Sequence, residues 1–207
     1  MPLADVDIAN MALRILGDAP ITQAQFTAGT DKVSKMVQLW YEPTRQATLD
    51  LHHWNFAMKR AILTNNGVTP AFGYTYQQAL PADCIRVWLV VPDQPWQVEG
   101  TTLLWAPVQR NIYYSYPPEE WFWWIPTTTI DIKYISLVTD ATLYPMPFVM
   151  TFAAHLAMIM AENVTGKVQF VKQCEEIFMR RLASAQSSDD LVGTPPIDND
   201  SPMVLYR

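Results

Sequence analysis

Apolar residues at helical spacing mark both ends of the chain. Near the N-terminus they form one stripe over Asp5–Leu16, and Gly17 follows at the position where a helix commonly ends. Near the C-terminus, the apolar run of Pro147–Ala161 and the amphipathic run of Lys167–Ser187 are separated by a short turn. This pattern predicts an N-terminal helix and a C-terminal αα-hairpin.

A second apolar stripe follows the first helix. Its members recur at steps of four and three over Val33–Trp54, and the stripe continues through Pro43. Proline inside a helix removes a hydrogen bond and bends the helix near the preceding turn. The stripe therefore predicts either one kinked helix over Asp31–Lys59 or two helices that meet near Glu42.

The middle of the chain changes to short β-rich runs that are separated by prolines. Val, Ile, Thr and aromatic residues are enriched in these runs, and turn residues bound them, which is typical of antiparallel hairpins. The run "VEGTTLLW" predicts a hairpin that turns at Glu99–Gly100. The predicted strands are Phe72–Gln77, Ile85–Val91, Gln97–Trp105, Asn111–Tyr116 and Thr129–Val138.

These elements predict an α+β fold. Residues 1–64 and the αα-hairpin of 141–187 form one helical domain, which is the core of the protein. Residues 65–140 are a β-rich insertion of antiparallel hairpins. Residues 188–207 lack periodicity and are rich in Asp and Pro, so they form an extended C-terminal arm. That arm ends on the apolar run "MVLY", which favours docking on another molecule.

Composition and charge narrow the classes of function. The 207 residues carry a net charge of −6 and no block of basic residues, which argues against sequence-specific DNA binding. The apolar stretch Met146–Asn163 falls short of about 20 clean apolar residues, so a buried helix is expected and no membrane partner. The N-terminus does not resemble a signal peptide. Cys84 and Cys174 lie far apart and are expected to be small buried residues.

The histidines and acidic residues form no pattern that is typical of a catalytic or metal site. His52 and His53 are neighbours, and His155 is distant from both, so no zinc-helix spacing occurs. Pairs of acids such as Glu119 and Glu120 are typical of solvated faces. The sequence therefore predicts a protein that is not an enzyme, with no catalytic residues, no cofactor and no metal.

The run "EEWFWWIP" at 119–126 raises a separate question. In a strand, Trp121 and Trp123 point to one face, while Phe122 and Trp124 point to the other. Both faces are then apolar, so either the fold or another molecule must cover them. One alternative is a carbohydrate-binding or polysaccharide-degrading module, in which these rings stack on sugars and Glu119 or Glu120 assists.

Three stretches in order resemble the phage head-to-tail adaptor family, called tail tubular protein A in T7-like phages. They are "YEPTRQATLDLHHWNFAMKRAIL" (Tyr41–Leu63), "LPADCIRVWLV" (Leu80–Val90) and "IKYISLVTDATLYPMPFVMTFAAHLAMIMAENVTGK" (Ile132–Lys167). The similarity covers most of residues 3–187. The segment between Trp105 and Thr129 departs from the family pattern.

The resemblance implies a structural role in the virion. Such adaptors form a ring of twelve copies, a homododecamer, between the portal above and a downstream tail ring (nozzle or stopper) below. The ring lines the channel for viral genome ejection, and DNA passes without sequence-specific binding. The protein would be made in the host cytoplasm.

Roles are also expected for particular residues, from the apolar pattern of the chain and from the ring of subunits that the resemblance implies. One face of the aromatic run, at Trp121, Phe122, Trp123 and Trp124, is expected at an inter-subunit or tail-ring interface. Trp40, Trp54 and Phe56 are expected in the structural core, and Arg45 is expected to pair with a carboxylate. The arm is expected to reach the portal through Pro195, Pro196, Ile197, Met203, Val204, Leu205 and Tyr206.

Overall fold

The computed structural model describes residues 3–64, 67–91, 95–106, 129–166 and 168–192. The described residues fall into two compact units. A helical unit draws on residues 1–48, 54–56 and 140–192, and a sheet unit draws on residues 49–53 and 57–139. Helices and two small antiparallel sheets are both present, so the predicted α+β class is confirmed.

Five α-helices lie within the described ranges. The N-terminal helix and the αα-hairpin are confirmed, whereas the short second helix was not predicted because it carries no apolar stripe. The last helix continues to Asp190, three residues beyond the predicted end at Ser187. The helices are α1 (Asp5–Leu16), α2 (Gln23–Ala28), α3 (Lys32–Asp50), α4 (Met146–Thr165) and α5 (Val168–Asp190).

Local sequence explains where α1 begins and ends. The Asp7 carboxylate accepts a hydrogen bond from the Ala4 backbone N–H at 2.9 Å, which satisfies a donor at the helix start. Gly17 takes a left-handed conformation with φ of 75° and closes the last turn. The buried side chains form the predicted stripe: Ile8, Ala9, Ala12, Leu13 and Leu16.

Helix α3 differs from the prediction in length and in phase. It runs unbroken through Pro43 and ends at Asp50, so the expected extension to Lys59 is wrong. The apolar stripe that was predicted is also displaced, since Trp40 is only partly buried and Leu51 is 44% exposed. Its buried face carries polar residues as well as the apolar Val37 and Leu49. Those that make side-chain hydrogen bonds are Ser34, Tyr41, Arg45 and Thr48.

Helix α4 contacts both α1 and α5. Its residues from Phe148 to Ala157 are nearly all buried, apart from the exposed Met150. By length and composition, Met146–Val164 could cross a membrane, but 61% of its most apolar stretch is buried within the protein. The core helix of a soluble protein passes the same test, and that is the role which the sequence predicts here.

The sheet unit contains two three-stranded antiparallel sheets. Their strand orders are β1-β6-β3 and β2-β5-β4, and the predicted hairpin at Glu99–Gly100 is confirmed as the β4–β5 pair. Strand β1 lies within residues 1–64, which were predicted as part of the helical domain, so strand structure begins N-terminally of residue 65. The predicted strand Asn111–Tyr116 lies outside the described residues. The strands are β1 (Met58–Thr64), β2 (Tyr76–Ala79), β3 (Cys84–Val91), β4 (Trp96–Glu99), β5 (Thr102–Trp105) and β6 (Thr129–Ser136).

One apolar core joins the two sheets of this unit. It includes Leu103 and Trp105 from β5 and the inner faces of β1, β3 and β6. Asp83, just before β3, links strands by polar contacts, because it pairs with Lys59 of β1 at 2.6 Å and accepts a hydrogen bond from the Tyr134 hydroxyl of β6 at 3.1 Å. Its pKa is lowered chiefly by the hydrogen bond from Lys59.

Candidate functional site

Arg45 is the centre of a charged network inside the helical unit. Its side chain is 2% exposed and lies 2.9 Å from Asp5 of α1 and 2.9 Å from Glu42. The Tyr41 hydroxyl donates to the same Asp5 oxygen at 3.0 Å, and the Arg45 guanidinium lies 5.0 Å from the centre of the Tyr41 ring. The expected pairing of Arg45 with a carboxylate is therefore confirmed. Such a network fixes α3 against α1.

The pKa values of this network favour a fixed charge distribution. Burial acts to lower the pKa of Arg45, but Tyr144, Asp5 and Glu42 outweigh burial and raise that pKa. Burial raises the pKa of Tyr144 to about 12, and it also raises the pKa of Tyr41. At neutral pH the arginine is thus charged and both phenols are protonated. These groups are suited to holding structure, since none titrates near pH 7.

A groove lined by aromatic side chains lies elsewhere in the helical unit. The Trp54 indole N–H donates to the Thr48 carbonyl at 3.0 Å, and the Trp54 ring meets Phe148 edge-on at a centroid distance of 5.1 Å. Phe56 packs on Phe148 at 4.8 Å. These residues border a cavity of about 250 Å³. Its remaining lining residues are Asn55, Pro145, Pro147, Ala185, Ser188, Asp189 and Val192.

The end of α5 is fastened beside this groove. The Asp189 carboxylate accepts a hydrogen bond from the Asn55 backbone N–H at 2.9 Å, and the Asp189 carbonyl accepts one from the Asn55 side-chain amide at 2.7 Å. Asp189 is 9% exposed. These two hydrogen bonds hold the C-terminal end of α5 beside the groove.

The outer face of the β1-β6-β3 sheet is exposed and partly apolar. Strand register places Ile62, Asp131 and Val91 side by side in one row, and the next row along the strands holds Arg60, Lys133 and Leu89. Ile62 is 69% exposed, while Leu89 and Val91 are each 47% exposed. We call this surface the outer sheet face and define it as Arg60, Ile62, Leu89, Val91, Asp131 and Lys133.

A second cleft lies in the sheet unit, with a volume of about 400 Å³. Cys84, Arg86, Trp96 and Val98 are among its lining residues. Burial, with help from the Asp83 charge, raises the pKa of the Cys84 thiol to about 11. The thiol is thus protonated at neutral pH, which makes it a poor nucleophile. Arg86 pairs with Asp50 at 3.2 Å.

The structure places only some of the sequence-predicted site residues. Trp54 is 1% exposed, whereas Trp40 and Phe56 are partly exposed. The aromatic run at Trp121–Trp124 and the arm residues from Pro195 onward lie outside the described residues. Sequence reasoning missed the outer sheet face. The alternation of Arg60 and Ile62 with Ala61 and Leu63 could have revealed it, had β1 been recognised as a strand.

His155 is buried in the helical unit, and its hydrogen-bond partner among the described residues is an uncharged hydroxyl. Its Nδ1 atom lies 2.8 Å from the Thr48 hydroxyl oxygen. That hydroxyl donates to the Thr44 carbonyl at 2.7 Å, so the Thr48 oxygen accepts from the imidazole N–H. The imidazole ring also stacks on Phe178 at 4.4 Å. Burial lowers the pKa of His155 below 6.5.

We expect stability to fall with acidification through His155. Because the pKa is lower in the folded state, only the unfolded chain binds this proton as the pH drops below about 6.5. The stabilising contribution is full above that pH and falls by up to about 1.4 kcal/mol per pH unit below it. Urea unfolding at pH 7.5 and 5.5 should show a smaller loss for His155→Phe than for the wild type. An equal loss in both proteins would contradict this assignment.

Comparison of the chain with models of known protein families finds no match, and no curated protein sequence matches it either. The described residues form a buried ionic network, an aromatic groove beside the end of α5, and exposed apolar side chains on both units. Surfaces of this kind are suited to contacts with other macromolecules.

Proposed function

We propose that this protein is a structural component of a phage virion: a head-to-tail adaptor that connects the portal to the downstream tail ring. It assembles as a ring of about twelve copies, as the resemblance implies, and the ring surrounds the DNA channel. Its role is mechanical rather than catalytic. The sections of sequence that resemble the adaptor family carry this proposal.

Contacts among those three stretches are the observation that supports it most directly. Trp54 of the first stretch packs on Phe148 of the third. Lys59 of the first pairs with Asp83 of the second, and Asp83 also binds Tyr134 of the third. Residues of the three stretches thus meet within each unit, as expected if the stretches together specify one fold.

Exposed apolar residues at the start of α4 support an assembled state. Leu143 is 60% exposed, Met146 is 59% exposed and Met150 is 38% exposed. Met146 and Met150 are four residues apart and therefore share one helix face. Methionine and leucine side chains left in water by the single chain are suited to burial against a neighbouring subunit or the adjoining ring.

The charge of the chain suits a DNA channel. With a net charge of −6, the ring as a whole repels phosphates instead of binding them. DNA can then slide past during ejection without being held. This weak, sequence-independent relation to DNA is distinct from the cationic surfaces of DNA-binding proteins.

The arm supplies the contact with the portal in this proposal. Val192 lies at the aromatic groove, and the residues that follow it in the sequence include three prolines and end in "MVLYR". A proline-rich linker that ends in apolar residues is suited to docking on a partner. Ordering such a segment costs about 1–2 kcal/mol per residue, so it should become ordered only where it binds.

We expect the purified protein to co-sediment with the portal ring encoded by the same genome, and the arm to be necessary. A deletion of 189–207 would be a poor test, because Asp189 belongs to the fold through its hydrogen bonds to Asn55. The better variant stops after Val192. A matched control keeps the chain length and replaces Met203, Val204, Leu205 and Tyr206 with serine.

Both arm variants should keep the far-UV circular dichroism and melting temperature of the full chain, and both should lose most of the bound portal. Portal binding that is unchanged without the arm contradicts the role of the arm. Failure of the full chain itself to co-sediment with the portal contradicts the adaptor function.

A further inference from the structure

The outer sheet face has a charge pattern that complements itself. Asp131 and Lys133 lie on the central strand β6, two residues apart and on the same face. Two residues along a strand span about 6.6 Å. One acid and one base of the same strand thus stand side by side at the middle of the exposed surface.

A second copy of the sheet fits over this face by a two-fold rotation. The two-fold axis lies in the plane midway between the two sheets, runs across the strands and passes between the two rows of residues. Each strand then lies over the same strand of the second copy, with its direction reversed. The row that contains Asp131 then lies over the row that contains Lys133 in the second copy. By the same rotation, the Lys133 row of the first copy lies over the Asp131 row of the second. Two ion pairs form at the centre, where the roughly 30° twist between packed sheets displaces residues least.

The same rotation matches the apolar side chains. On β3, Val91 of one copy lies over Leu89 of the other, in two equivalent contacts. On β1, Ile62 lies over the aliphatic stem of Arg60, which can cover apolar surface while its guanidinium remains in water. Packed sheets lie about 10 Å apart, a distance that a lysine and an aspartate side chain span together.

We propose that the outer sheet face is a docking surface for a second copy of this chain, in a two-fold dimer of the free protein. A membrane or a nucleic acid fits this face poorly, since it carries both signs of charge between its apolar residues. The contact is independent of the proposed adaptor role. A two-fold contact pairs two chains and then closes, whereas a ring needs a head-to-tail contact.

The size of the face predicts a weak dimer. Three strands about 4.8 Å apart and two rows of residues cover roughly 200 Å² in projection. Stable interfaces bury about 800 Å² per partner, so this contact belongs with transient encounters. We expect a rapid equilibrium that is monomeric at micromolar concentration and shows a detectable dimer near about 500 µM.

Charge reversal tests the geometry directly. Sedimentation equilibrium of the full chain at low salt should show the dimer, and either Asp131→Lys or Lys133→Asp should raise its dissociation constant about tenfold or more. An equimolar mixture of the two single variants should regain association as a heterodimer. The doubly exchanged variant should regain it as a homodimer.

Circular dichroism and melting temperature establish that each variant is folded. If a charge reversal destabilises the sheet, Ile62→Ser takes its place, because that side chain is 69% exposed. It should weaken the dimer without unfolding the chain. A wild type that stays monomeric at about 500 µM overturns the proposal, as does a mixture of single variants that fails to associate. If the protein forms a closed ring and the charge reversals do not change its association, the dimer proposal is wrong and the adaptor proposal is unaffected.

Discussion

Replacing Trp54 with alanine is expected to lower the free energy of unfolding by about 3–5 kcal/mol, the range measured for truncation of large buried aromatic residues. Trp54 is 1% exposed, and its indole N–H donates to the Thr48 carbonyl. Its ring also packs edge-on against Phe148. Alanine removes the apolar burial and the aromatic contact, and it leaves the carbonyl without this donor.

Two further substitutions separate the contributions. Trp54→Phe keeps an aromatic ring but loses the N–H group, and it should cost about 1–3 kcal/mol. Trp40→Ala removes a tryptophan that is only partly buried, so it should cost clearly less than Trp54→Ala. Urea unfolding followed by far-UV circular dichroism gives each value. If Trp40→Ala and Trp54→Ala cost the same, the assignment of Trp54 to the core is wrong.

The elements that the sequence predicted well are those with clear ends and one apolar face. Helix α1 ends at Gly17, whose positive φ suits glycine, and α4 begins beside Pro147. Along β6, Ile130, Ile132 and Tyr134 alternate with more polar residues, and the strand follows that alternation. Local chemistry and tertiary packing agree at these places, so a local pattern was sufficient.

Helix α3 shows where pattern reasoning fails. A stripe counted from apolar residues ignores polar side chains that can be buried once they are paired. Arg45 and Thr48 are buried where Asp5 of α1 and His155 of α4 pair with them, and these partners depend on tertiary structure. The observed buried face of α3 therefore differs from the predicted one and does not include Leu51. Trp54 is part of the core, but it lies beyond the end of α3.

The candidate surfaces were still harder to predict. Ile62 lies in a run that also satisfies helical spacing, so its strand and its exposed face became evident only from the pairing of β1 with β6. The outer sheet face joins residues from three strands that are distant in sequence. No local window contains such a set, because strand order and register create it.

Removal of the Asp5 carboxylate is the second change that should strongly lower the free energy of unfolding. Asp5→Ala leaves the buried Arg45 guanidinium with Glu42, whose side chain is 55% exposed, and removes the acceptor of the Tyr41 hydroxyl. Breaking a buried pair by deleting one partner costs about 3–5 kcal/mol. Since Asp5 is itself 34% exposed, solvent screens part of its interaction, and we expect a loss of about 2–3 kcal/mol.

Comparison with Glu42→Ala tests this assignment, because Glu42 contacts the same guanidinium from a more exposed position and should cost less than about 1 kcal/mol. A double variant tests whether the unpaired charge of Arg45 causes the loss of stability in Asp5→Ala. Arg45→Met in the Asp5→Ala background removes the buried cation and keeps an apolar side chain of similar length, so part of the lost stability should return. If Asp5→Ala alone and the double variant unfold at the same urea concentration, the loss comes from the Tyr41 hydroxyl or from packing. Recovery in the double variant instead assigns it to the guanidinium, whose burial then depends on the pairing of α3 with α1.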